Sequence, residues 1–145
     1  MTLDEQLTAI DLWRAREFPA GRVRSAMAES GPGFHLAALR TGPDLWDADP
    51  AEAAEVEEEF ADGLTALVQA LSLRWGPAEV VDLTAHLERQ AQGLPVRPPL
   101  DTVCGYVPRM HGWRVRGRWI GVGVGQGGPE LPCQLLVAVG EERVA

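Results

Sequence analysis

Apolar residues recur at helical spacing between residues 50 and 75, and this is the clearest pattern in the chain. Asp49 is a favourable N-cap, and Pro50 suits the first position of a helix. Gly76 and Pro77 follow the pattern, as expected beyond the last turn of a helix. The predicted apolar stripe consists of Ala53, Val56, Phe60, Leu64, Leu67, Val68, Leu71 and Trp75. We expect this stripe to face a sheet built from the residues after 101.

Further helices are predicted on either side of this one. Thr2 and Glu5 form a capping box at the start of an N-terminal helix, which ends at the Phe-Pro-Ala-Gly segment that follows it. Another helix is predicted over residues 78–92. Residues 23–29 are compatible with a short helix, and residues 34–40 with a strand or a helix. We favour a strand for 34–40 because turn-forming glycines and prolines stand on both sides of it.

Beyond Asp101 the apolar period changes from 3.6 to 2, which is typical of strands. The predicted strands cover residues 102–107, 112–116, 118–125 and 132–139. Helices followed by strands favour the α+β class. We therefore expect one α+β domain over residues 1–145, with N-terminal helices packed on one face of a C-terminal antiparallel sheet.

Charge narrows the classes of partner. The 145-residue chain has a formal net charge of −8, which argues against nucleic-acid binding because phosphate contacts need a cationic surface. No apolar run is long enough to cross a bilayer, so no membrane partner is expected. No secretory signal is visible, and the two cysteines, Cys104 and Cys133, lack zinc-site spacing. These features predict a cytoplasmic protein with reduced thiols.

The strand predicted at 118–125 carries a glycine pattern. Gly123, Gly125 and Gly128 match a dinucleotide-binding fingerprint by letter, but they lie within a strand, and prolines rather than a helix follow them. Gly121, Gly123 and Gly125 instead leave one face of the strand without side chains. Either another segment approaches this bare face closely, or the face forms a shallow groove. No nucleotide or other cofactor is predicted.

Cys104, His111 and Asp101 form the one arrangement that resembles a nucleophile with a base and an orienting acid. Cysteine is more often a buried small hydrophobe, so we predict that both cysteines are buried strand residues with no histidine within reach. The three histidines are too scattered for a metal site. No catalytic or metal-binding residue is assigned. A small enzyme or ligand-binding domain that uses the bare face and Cys104 with His111 remains the alternative function.

Glu57 is the one carboxylate of the long helix that points toward its apolar side. A charge in that position needs a partner. We therefore predict that Glu57 is at least half buried and paired with an arginine of the last third, for which Arg114, Arg116 and Arg118 are candidates.

The strongest functional signal is a run of nine acids without a base in residues 41–73. Like charges three and four residues apart on a helix repel each other, so the run is either a solvated face that keeps the protein soluble or a surface for a basic partner. Trp46 precedes the helix and either folds back onto it or anchors a partner. The predicted partner-binding residues are Asp44, Trp46, Asp47, Glu52, Glu55, Glu58, Glu59 and Asp62.

Residues 73–139 resemble small bacterial immunity-type α+β domains. The segments that carry the resemblance are Leu73-Arg74-Trp75-Gly76-Pro77, Gly117-Arg118-Trp119-Ile120-Gly121-Val122 and Glu130-Leu131-Pro132 with the apolar strand after it. The resemblance implies a non-catalytic protein that occludes a toxin, and secretion chaperones of similar size and charge also act by binding. A toxin or secreted effector is therefore the expected basic partner.

Overall fold

The computed structural model describes residues 1–128 and 130–141. These residues form a seven-stranded antiparallel sheet and four helices. In chain order the elements are α1 (Leu3–Ala15), β1 (Val23–Arg24), β2 (Ala28–Gly31), β3 (Phe34–Thr41), α2 (Pro50–Trp75), β4 (Glu79–Asp82), α3 (Leu83–Ala91), α4 (Leu100–Val103), β5 (Arg109–Val115), β6 (Arg118–Gln126) and β7 (Cys133–Glu141).

The strands lie in the order β1-β2-β3-β7-β6-β5-β4, and each neighbouring pair is antiparallel. The N-terminal strands extend the sheet because β3 pairs along β7, with His35 opposite Val139. The ambiguous segment 23–29 contributes to β1 and β2 rather than to a helix, and β3 confirms the strand favoured for 34–40.

Helices α1 and α2 pack on one face of the sheet. Phe60, Leu67 and Leu71 of α2 are buried together with Ile120 of β6 and Val137 of β7. Alternating residues of β6 and β7 belong to this cluster, and the residues between them face the other side. The α+β class, with N-terminal helices on one face of the sheet, is thereby confirmed.

The predicted starts of α1 and α2 are present in the structure. Thr2 and Glu5 form the reciprocal capping box of α1. The Asp49 side chain accepts a hydrogen bond from the backbone N–H of Glu52 at 2.9 Å, which caps α2. Gly76 ends α2 with φ 86°, a conformation that glycine adopts without strain.

Helices α3 and α4 pack on the opposite face, and two sequence predictions fail there. The helix expected over 78–92 begins only at Leu83, because β4 takes up its first residues and Asp82 caps α3. The strand expected over 102–107 is instead α4 and the turn after it. The buried residues of this segment have the spacing of a helix and not the alternation expected of a strand: they are Leu100, Val103, Cys104 and Val107. Within the part of the chain that the structure describes, no helix is long and apolar enough to cross a membrane.

Candidate partner-binding face

The eight predicted partner-binding residues all lie at the surface. We call them the acidic face: Asp44, Trp46, Asp47, Glu52, Glu55, Glu58, Glu59 and Asp62, all of which are exposed. They occupy the loop between β3 and α2 and the first half of α2.

The loop between β3 and α2 runs back beside the helix that it precedes. A Cβ on Gly42 would lie 3.0 Å from the ring of Phe60, and Arg40 donates a hydrogen bond to Glu59 at 2.5 Å. The loop therefore starts near the third turn of α2 and ends at the N-cap, about 15 Å away along the helix axis. Trp46 lies on this path, between the third turn of α2 and its N-cap.

Trp46 is presented to solvent by an ordered turn. Its side chain is 69% exposed, whereas that of its neighbour Leu45 is only 5% exposed. The Asp44 carboxylate accepts a hydrogen bond from the backbone N–H of Trp46 at 2.9 Å. Leu45 therefore folds back into the protein while Trp46 does not. A large exposed aromatic ring on a held backbone is typical of an interface anchor.

A second loop lies against the first. The backbone N–H of Leu45 donates to the carbonyl oxygen of Glu130 at 3.1 Å, and Gly42 donates to Cys133 at 2.9 Å. This contact brings Leu131, which is 53% exposed, and the carboxylate of Glu130 to the same end of the molecule as Trp46. Sequence reasoning missed both residues because only the pairing of β3 with β7 places these distant segments side by side.

The charges of the acidic face are largely uncompensated. Among the residues that the structure describes, Glu59 is the member of the face with an ion pair, to Arg40 at 2.5 Å. Glu55 and Glu58, and likewise Glu58 and Asp62, stand three and four residues apart on α2. Each such pair is destabilising by a few tenths of a kcal/mol. Folding alone does not account for keeping several of them together.

The prediction for Glu57 is wrong. Its side chain is exposed and forms no ion pair within residues 1–128 and 130–141. The buried stripe of α2 is narrow: Leu67 and Leu71 lie about 20° on either side of the direction of Phe60, and all three side chains are fully buried. Leu64, farther from that direction, is only half-buried. The edge of the stripe on which Glu57 lies is therefore open to water.

Two of the three arginines proposed as partners of Glu57, Arg114 and Arg118, have other roles. Arg114 donates to Glu79 at 2.6 Å, which joins β5 to β4. Arg118 donates to two carbonyl oxygens at the end of α1. Both guanidinium groups therefore already have hydrogen-bond acceptors.

Cys104 and His111 are not brought together. The Cys104 thiol lies 3.3 Å from the side-chain oxygen of Gln90 and 3.6 Å from the carbonyl oxygen of Asp101, and no histidine is within hydrogen-bonding distance. Burial, followed by the charge of Asp101, raises the pKa of this thiol. Both cysteines are buried, as predicted, although Cys104 ends α4 and is not a strand residue.

The bare glycine face of β6 is filled by the protein itself. A Cβ on Gly121 would lie 2.3 Å from the Trp119 ring, and one on Gly123 would lie 2.8 Å from the carbonyl oxygen of Arg109. The rings and methyl groups of Tyr106 and Val107 lie equally close over Gly125. Close approach, the first of the two expectations for this face, is thus what the structure shows.

The cysteines provide a direct test of this part of the structure. We expect Cys104 and Cys133 to react with iodoacetamide at pH 8 at least tenfold more slowly in the native protein than in denaturant, because buried thiols are inaccessible and poorly ionised. Mass spectrometry of samples quenched over time measures both sites. Rapid native labelling of Cys104 would mean that its pocket is open and the thiol ionised.

Neither a metal site nor a similar protein points to a further function. In the described ranges, no group of three or more His, Cys, Asp or Glu side chains is placed to hold a metal ion. No family model, no curated protein and no solved structure matches the chain.

Proposed function

We propose that this protein is a non-catalytic binding module that recognises a basic partner protein through its acidic face. The observation that carries the proposal is the exposed Trp46, held by the Asp44 turn beside carboxylates that have almost no cationic neighbours. Aromatic anchors supply much of the binding energy of protein interfaces. The surrounding carboxylates supply steering and specificity for an opposite charge.

Leu131 and Glu130 extend this surface. Leu131 is a second exposed apolar side chain at the same end, and Glu130 adds a further carboxylate. In the described residues of the loops 42–49 and 127–132, the charged side chains are all acidic. Two apolar groups within a field of one sign form an interface core with a charged rim, which suits a basic surface that carries an apolar recess.

The resemblance to immunity-type domains supports a more specific form of the proposal. An immunity-like or chaperone-like protein acts by covering its partner, so the partner is a bacterial toxin or a secreted effector. Such a role needs no catalytic residues and no cofactor. We also propose a cytoplasmic location, which the free thiols support because Cys104 and Cys133 lie in the clusters on opposite faces of the sheet and are not paired.

Charge reversal on α2 tests the proposal. We expect the triple variant Glu55→Arg, Glu58→Arg and Asp62→Arg to fold, since these side chains are exposed, and to bind the partner at least about tenfold more slowly at low salt. Immobilised wild-type protein first captures the partner from the native lysate. Surface plasmon resonance with the purified partner then measures the association rate over a range of salt concentrations.

A matched control separates the acidic face from net charge. Asp4→Arg, Glu17→Arg and Glu88→Arg make the same charge change at exposed positions outside the face, and we expect this variant to associate nearly as wild type does. Trp46→Ala should raise the dissociation constant by an amount equivalent to about 2 kcal/mol, as for other anchor residues. An equal decrease of the association rate in the α2 variant and the control variant, or no decrease in either, would show that the acidic face serves only solubility.

A further inference from the structure

A buried histidine holds the end of α1 against the sheet. His35 of β3 is 1% exposed. Its Nε2 lies 3.1 Å from the carbonyl oxygen of Arg16, and its Nδ1 lies 2.6 Å from the hydroxyl oxygen of Ser30. Because a carbonyl oxygen only accepts hydrogen bonds, Nε2 carries a proton. In the neutral ring Nδ1 then accepts a hydrogen bond from the Ser30 hydroxyl, and both nitrogens are satisfied.

Aromatic rings and an arginine complete the attachment. The centroids of the Trp13 and Phe18 rings lie 5.2 Å and 5.0 Å from that of the histidine. Arg118 donates to the carbonyl oxygens of Arg14 and Arg16 at 3.0 and 2.6 Å, and its guanidinium lies 4.0 Å from the Phe18 centroid. We call the following residues the α1 anchor: Trp13, Arg16, Phe18, Ser30, His35 and Arg118.

The charges around the ring are unfavourable for a second proton. The charged side chains on the surrounding segments are Asp11 and Arg14 in the last two turns of α1, Arg16 and Glu17 after it, Glu29 in β2, Arg118 in β6 and Glu141 in β7. The carboxylates of Asp11 and Glu29 are held by other arginines, and Glu17 and Glu141 are exposed. The charges that act on the ring are therefore those of two cations, Arg16 and Arg118.

Each of these features affects the protonation of His35. Burial lowers its pKa most, the hydrogen bond to the Arg16 carbonyl opposes this effect, and the charges of Arg118 and Arg16 lower the pKa further. An imidazolium in this position would be repelled by the charges of Arg16 and Arg118 and would have no carboxylate among its hydrogen-bond partners.

We propose that the α1 anchor is a proton-sensitive latch, which holds the end of α1 on the sheet while His35 is neutral and loosens when His35 takes up a proton. Released into water, the imidazole has its ordinary pKa of about 6.5. Because the pKa in the docked state is lower, the stabilisation from the neutral ring is complete above about pH 6.5 and is lost as the pH falls below it. Acid therefore loosens the end of α1 selectively.

Amide hydrogen exchange measures this loosening directly. After correction for intrinsic rates, we expect the opening constant of residues 13–18 in the wild-type protein to rise by up to about 30-fold between pH 7.5 and pH 5.0. His35→Gln removes the titrating group and keeps an amide that can donate toward the Arg16 carbonyl. In this variant the rise in residues 13–18 should disappear.

His111→Gln is the matched control. His111 lies in β5, three strands from β3 in the sheet, and burial and the Arg109 charge also lower its pKa. This variant should keep the full rise in residues 13–18. An undiminished rise in His35→Gln would overturn the proposal.

A measurement on the wild-type protein covers the case in which His35→Gln does not fold. In an NMR pH titration, the His35 ring signal should shift only at pH values where residues 13–18 exchange faster. A ring that titrates at its ordinary pKa while exchange of that segment stays constant would equally overturn the latch.

Discussion

Replacing Gly121 by alanine is expected to destabilise the protein by about 1–3 kcal/mol, the usual range for an overpacked core. The new Cβ would lie 2.3 Å from the Trp119 ring. Trp119 is fully buried and its indole nitrogen has no hydrogen-bond partner among the described residues. The ring is thus held by packing alone, and it also covers Gly112, the cross-strand partner of Gly121. The ring therefore cannot move away from a Cβ on Gly121 without contacting other core atoms.

Urea unfolding monitored by circular dichroism measures the loss as a lower midpoint with an unchanged slope. Gly63→Ala is the matched control, because Gly63 lies within α2 and a Cβ there would meet nothing within 4 Å. That variant should be more stable by about 0.5–1 kcal/mol from helix propensity. A smaller ring should relieve the clash, so Gly121→Ala combined with Trp119→Phe should cost less than the sum of the two single changes. Strict additivity would show that the ring and the glycine are not in contact.

The sequence predicted those elements whose local pattern and packing agree. The helix from Pro50 to Trp75 combines an N-cap, an apolar stripe and a terminating glycine, and all three are present in the structure. The prediction of a strand in the segment around α4 is wrong because four apolar residues in a short run satisfy the helical and the alternating period almost equally well. The first residues of the predicted 78–92 helix form a strand instead, because pairing with β5, a partner distant in sequence, outweighs local helix propensity.

The candidate site shows the same division between local and long-range information. The acids of residues 44–62 and Trp46 were found from composition because they are contiguous in the chain. Leu131 and Glu130 join them only through the pairing of β3 with β7, which no local pattern encodes. Glu57 shows a further limit: helical angle gives the direction of a side chain, but the width of the buried stripe depends on how the sheet lies beneath the helix.

Truncating Leu67 to alanine is expected to destabilise the protein by about 2–5 kcal/mol, which combines the lost transfer free energy with that of the cavity left behind. Leu67 is 0% exposed and lies between Phe60 and Leu71 on the face of α2 that packs on β6 and β7. Few neighbours can fill the gap, because the sheet beneath is continuous and the helix is held at both ends by its caps.

The same helix offers a control for the Leu67 variant. Leu73 is 92% exposed, so Leu73→Ala makes the same chemical change without removing buried contacts, and its effect should stay within about 0.5 kcal/mol. Urea midpoints of the two variants therefore compare burial alone, with side-chain chemistry and helix propensity matched. Equal midpoints would mean that α2 does not pack on the sheet through this stripe. A large difference would establish the stripe as the contact that fixes how α2, and with it the acidic face, is oriented on the sheet.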